Sequence, residues 1–164
     1  MRRKEDFLVL IESLKGDWAL CEEILSDNSR AWERIEAGAQ DHLDWAALGY
    51  TMHAFYNTLE NYFLRIGKFF ENSLSRDAWH RELLDRMSLE IPGFRPALLD
   101  NKECKEALEE LRGFRHVFRH HYGRKLKSEK VRLVQKYITV VAGLFPDEHR
   151  IFCEKLSRIA DKME

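Results

Sequence analysis

The chain has 164 residues, 45% of them hydrophobic, and a formal net charge of −1. A chain of this size carries enough apolar residues for one core, which predicts a single domain over 1–164. Its near-neutral charge excludes a protein that binds polyanions over its whole surface. The first apolar run, Phe7 to Ile11, is cut by Glu12, and none reaches the roughly 20 residues of a membrane span, so a soluble, unprocessed cytoplasmic protein with no membrane association is expected.

In chain order, Phe7, Leu10, Leu14, Trp18, Cys21 and Leu25 recur at three- and four-residue steps, the spacing of a first amphipathic helix. The turn formers of "SDNSR" are expected to end it, with a short helical piece over 31–36 after them. A long second helix follows from Leu48 through Met52, Phe55, Leu59, Phe63, Ile66 and Phe70. Tyr50, Tyr56 and Tyr62 widen its apolar stripe, which predicts burial on more than one side. "NSLSRDAWHRELLDRM" restarts a helix, with Ser75 or Asp77 as N-cap, and "IPGFRP" is a loop. Asp100 or Asn101 caps a fourth helix that runs to Tyr122, with Gly123 as its C-cap. Ser128 opens a fifth through Val131, Val134, Ile138 and Val141, and Pro146 is expected to start a sixth through Phe152, Leu156, Ile159 and Met163. No stretch alternates at period two long enough for a strand. The expected class is all-α, an up-down bundle of about five or six helices. Cys21, Cys104 and Cys153 are scattered and odd in number, which suits free thiols in a reducing compartment.

The densest chemistry is "RGFRHVFRHHYGRK", residues 112–125. On a helical wheel at about 100° per residue, Ala107, Leu111, Phe114 and Phe118 share one arc. Arg112, Arg115, His116, Arg119 and His120 share the opposite arc, roughly 140° wide. A structural reading exists: Glu103, Glu106, Glu109 and Glu110 precede these cations, the polarity a helix macrodipole favours. Yet residues 112–127 hold six Arg and Lys and no acid, and an anionic partner would relieve that crowding. His116 and His120 have the i,i+4 spacing of a metal pair, but the arginines around them repel a cation, so no metal is assigned. RNA cleavage needs proton transfer at the 2′-hydroxyl and the leaving 5′-oxygen, plus fixed positive charge against the phosphorus; histidine and arginine supply both. Arg112, Arg119, Arg124 and Lys125 are the candidate RNA-phosphate contacts. His80 and Arg81 are candidates to line the same cleft. Tyr50, Tyr56 and Trp79 could stack on bases, although core or interface packing is the simpler expectation. His53, His80 and His149 could join the site only through the fold.

"RHVFRHHY" resembles the signature of the HEPN superfamily, an Arg followed by a polar residue, three variable residues and a His: Arg115, His116 and His120. Tyr122 completes R-x4-H-x-Y, the pattern of HepT-type ribonuclease toxins, and the stretch from Tyr50 to Leu99 is also similar to that group. The resemblance covers roughly residues 40–142. It implies a helical, homodimeric endoribonuclease that needs neither metal nor cofactor and acts as the toxin of a toxin–antitoxin pair. Arg115 and His120 would be catalytic and His116 would orient or assist. Tyr122 would receive AMP from a partner, a MntA-like nucleotidyltransferase antitoxin. The alternative is a non-catalytic HEPN-type module that binds RNA or a nucleotidyltransferase.

Overall fold

A computed structural model describes the backbone of residues 2–71, 76–120 and 128–163, and their side chains except at 76–81 and 116–120. Among the described residues five helices form: α1 Lys4–Glu36, α2 His42–Phe70, α3 Arg76–Met87, α4 Lys102–His120 and α5 Ser128–Asp161. Among the described residues no strand forms; a lone antiparallel bridge joins Ile91 to Arg95.

Helix directions follow from which residues meet. Phe7 packs on Phe69, Asp17 pairs with Arg65, and Asn28 bonds Thr51, so α1 and α2 run antiparallel. Lys4 pairs with Asp161, Trp18 packs on Phe145, and Asn28 bonds Gln135, so α5 also runs against α1. Glu148 reaches the start of α4, while Val134 lies with Leu111 and Phe114 further along it, so α4 runs against α5. The four long helices therefore alternate in direction, the up-down arrangement expected. Their shared core includes Leu14, Phe55, Leu59, Tyr62, Phe63, Phe145, Phe152 and Leu156. Ring edges meet ring faces there, with Tyr62 and Phe145 centroids 5.5 Å apart.

Three element boundaries differ from expectation. α1 runs unbroken through "SDNSR". Asn28, 2% exposed, faces inward: its Nδ2 donates to Thr51 Oγ1 and Gln135 Oε1, both at 3.0 Å, and its Oδ1 accepts from Gln135 Nε2 at 2.8 Å. A residue that would otherwise favour a turn is held in helix by partners on two other helices. The expected fifth and sixth helices are one, because Pro146 lies inside α5. A mid-helix proline costs about 3 kcal/mol; here Phe145, Glu148 and Phe152 bury the same stretch against α1, α2 and α4. α2 starts at His42, capped by Asp41, whose carboxylate accepts from the N–H of Leu43 at 2.8 Å and of Asp44 at 3.0 Å.

Of the tyrosines expected on the α2 stripe, Tyr56 and Tyr62 are buried and Tyr50 is 73% exposed. Its neighbours at the start of α2, Leu43 and Ala47, are exposed as well. "IPGFRP" is a loop, tightened by Gly93 at a φ of 76°. Its Arg95 is buried, bonded to Glu71 and, at 2.7 Å, to the Arg86 carbonyl, which ties the loop to the ends of α2 and α3. Asp77 lies inside α3 rather than at its cap, and Ser75 lies outside the described residues. All three cysteines are free and buried. No described helix is long and apolar enough to cross a membrane.

Candidate functional site

α4 carries Arg115, His116 and His120 of the motif. Asn101 Oδ1 caps it by accepting from the Cys104 N–H at 2.9 Å, as expected. From α5, the buried Glu148 Oε1 accepts from the N–H groups of Asp100 at 3.1 Å and Asn101 at 2.6 Å. The first turn of α4 is thus satisfied from two sides. Cys104, Ala107, Leu108 and Leu111 enter the core and Phe114 packs against it, which is the apolar arc of the wheel.

The arc bearing Arg112 and Arg115 faces differently from what a solvated face would show. The Arg115 side chain is 21% exposed and turns toward α2, where its Nη1 donates to Glu60 Oε2 at 2.9 Å. Glu60 is itself 4% exposed. Arg112 pairs with Glu109 one turn back, at 3.1 Å. Tyr56, one turn before Glu60 on α2, closes the group. Burial above all, and then the Glu60 carboxylate, raise its phenol well above the usual range, against the opposing pull of Arg112 and Arg115. The phenol is therefore neutral at any physiological pH.

Tyr56 and Arg115 also line a cavity of ≈10 Å³ with Met52, His53, Leu111, Phe114 and Val134. That is room for about one water. The fold thus brings His53 beside Arg115. It takes His149 elsewhere: its Nδ1 is 2.8 Å from the Tyr62 hydroxyl and 3.8 Å from Cys153 Sγ. Burial lowers the His149 pKa.

The remaining motif positions divide in two. His116, Arg119 and His120 fall on the α4 backbone, so Arg115, His116 and His120 ride on one continuous helix. Their side chains, with those of Trp79, His80 and Arg81, are outside the described set, and Tyr122, Gly123, Arg124 and Lys125 lie outside the described residues altogether. Among the described residues no three His, Cys, Asp or Glu side chains gather as a metal-ligand set.

Glu60 is the site residue that sequence reasoning missed. A signal was present, since Tyr56, Glu60 and Phe63 are spaced four and three apart, which puts a carboxylate among buried aromatics. A buried carboxylate requires a cation or several donors. Nothing local says that the cation lies 55 residues away.

A family model described as HepT-like protein matches residues 47–156, from the first turns of α2 into the last third of α5. No curated protein and no solved structure matches the chain.

Proposed function

Because the chain belongs to the HepT-like family, we propose that it is a metal-independent endoribonuclease, the toxin of a toxin–antitoxin pair. What carries the proposal is the complete R-x4-H-x-Y motif, Arg115 to Tyr122, within the matched span, together with an Arg115 guanidinium already tethered at the α2–α4 contact. His120 takes the proton from a ribose 2′-hydroxyl or returns one to the 5′-oxygen, with His116 assisting. Arg115 offsets the charge that grows on the phosphoryl oxygens. Arg112, Arg119, Arg124 and Lys125 hold flanking phosphates. Arg115 and His120 stand about 140° apart round the helix and about 7.5 Å along it. A second copy, with its own fourth helix opposed, narrows that spread into a cleft, so the working form is a homodimer.

Control comes from a nucleotidyltransferase partner. The Tyr122 hydroxyl oxygen attacks the α-phosphorus of ATP, pyrophosphate leaves, and the resulting phosphodiester adds bulk and negative charge beside the basic segment.

The test is RNA cleavage by purified protein with EDTA present. Wild type should cut, whereas Arg115→Ala and His120→Ala should each lose about 10²-fold or more while staying folded. Cleavage that survives His120→Ala would refute the mechanism. RNA binding without cleavage in the wild type would leave a non-catalytic module. Intact mass after co-expression with the partner should show added adenylyl groups in wild type and none in Tyr122→Phe.

A further inference from the structure

We propose that Glu60 is the positioning residue for Arg115: its buried carboxylate fixes the guanidinium in one orientation before any phosphate arrives. The role rests on the ribonuclease reading for what Arg115 is positioned to do, but the hold on Arg115 is a property of the fold.

The placement of Glu60 is hard to explain by packing alone. It lies on the buried face of α2, between Tyr56 and Phe63, where an apolar side chain of similar volume would fill the space without desolvating a charge. Buried ion pairs seldom stabilise more than the hydrophobes that could replace them. The α2–α4 contact has its own apolar seam in Met52, Tyr56, Leu111 and Phe114. What the carboxylate adds is direction. An arginine side chain has several rotatable bonds, and ordering it only when substrate binds would cost rotamer entropy at that moment. The 2.9 Å bond from Nη1 to Glu60 Oε2 fixes the guanidinium beforehand.

The chemistry of the two groups allows this division. A guanidinium has five N–H donors in a rigid fork, so a carboxylate and a phosphate can share it. Glu60 and Glu109 also set two negative charges against Arg112 and Arg115, which lessens repulsion among cations gathered on one helix. Tyr56, one turn away on α2, sets no competing anion beside Arg115, because its phenol stays protonated.

Glu60→Gln tests the idea, since it keeps the shape and an acceptor oxygen and removes the charge. Glu60→Met, of similar length and apolar, provides a second variant that removes the acceptor as well as the charge. Three quantities are read: thermal unfolding, kcat and KM for a short RNA, and the Arg115 Nε–Hε NMR signal, identified by its loss in Arg115→Lys. Positioning predicts kcat lower by about tenfold or more with KM changed by less than about threefold. It also predicts an Arg115 signal that is sharp and slow to exchange in wild type and broadened in both variants. Variants that melt earlier but keep kcat would show a purely structural ion pair and overturn the proposal. A rise in kcat, or tighter RNA binding, would show that Glu60 competes with the phosphate and would overturn it too, as would an unchanged Arg115 signal. If the wild type cuts no RNA yet the Arg115 signal responds to Glu60→Gln, the ribonuclease reading fails and the hold on Arg115 stands.

Discussion

Replacing Asn28 by alanine should destabilise the protein more than any other single truncation of a neutral polar side chain in α1. Three hydrogen bonds disappear together: two donated by Nδ2, to Thr51 and Gln135, and one accepted by Oδ1 from Gln135. At about 1 kcal/mol net for each neutral bond, their loss amounts to ~3 kcal/mol, and the buried Gln135 amide left behind raises the cost to ~3–5 kcal/mol. Thr51 suffers less, because its hydroxyl also donates to the Leu48 carbonyl at 2.7 Å. Against a total stability of ~5–15 kcal/mol, such a loss is large. Urea unfolding followed by circular dichroism, at one fixed protein concentration, should show a lower midpoint with an unchanged slope. The double variant Asn28→Leu, Gln135→Leu removes both amides at once and should be less destabilised than Asn28→Ala alone. A cost below ~1 kcal/mol for Asn28→Ala, or a double variant as costly as its two single changes added, would refute the reasoning.

Two further outcomes follow from buried titratable groups. Burial holds the His149 pKa below 6.5, with Glu22 raising it and Lys15 lowering it to smaller extents. The folded ring stays neutral where the unfolded chain would take up a proton. Its contribution to stability is therefore full above about pH 6.5 and is lost as pH falls through the depressed folded value. His149→Gln should flatten the fall in urea midpoint between about pH 7.5 and 5; an equally steep fall in the variant would place the slope in other groups. Burial also pushes the thiols of Cys21 and Cys104 up to about 12 and that of Cys153 up to about 11. An aromatic disulfide reagent at about pH 8 should titrate none of them until denaturant is added. Rapid reaction of one equivalent in the native protein would contradict that burial.

What was legible beforehand was whatever depends on local spacing. The apolar steps of three and four marked the helices, Asn101 announced a cap, and "IPGFRP" announced a loop, because each signal is complete within a few residues. Structure departs from local expectation where a distant partner overrides a local preference. Asn28 favours a turn by itself, but Thr51 and Gln135 lie 23 and 107 residues away in sequence. Pro146 normally starts or breaks a helix, yet both its flanks are tied into the core through Phe145, Glu148 and Phe152. Tyr50 fits the stripe by spacing and still points outward, because spacing does not say how far round a helix its neighbours reach. The motif was visible as Arg115, His116, His120 and Tyr122. Its support was not, since Glu60, which bonds Arg115, and His53, which lines a cavity with it, come from α2 and reach the site only through the fold.

The double satisfaction of the α4 N-terminus makes that helix a ruler. Glu148 grips the chain at Asp100 and Asn101, and Glu60 grips it again at Arg115. Between Asn101 and Arg115 the helix advances about 21 Å, with no slack at either end. One residue inserted within that span would turn everything beyond it by about 100° and move it by about 1.5 Å. Arg115 would swing away from Glu60, and the histidines after it would swing in step. Side chains on the outer face, such as Glu106 and Glu110, can change freely by this logic. The number of residues cannot, so the length of α4 up to Arg115 is as much a part of the site as the identity of the arginine.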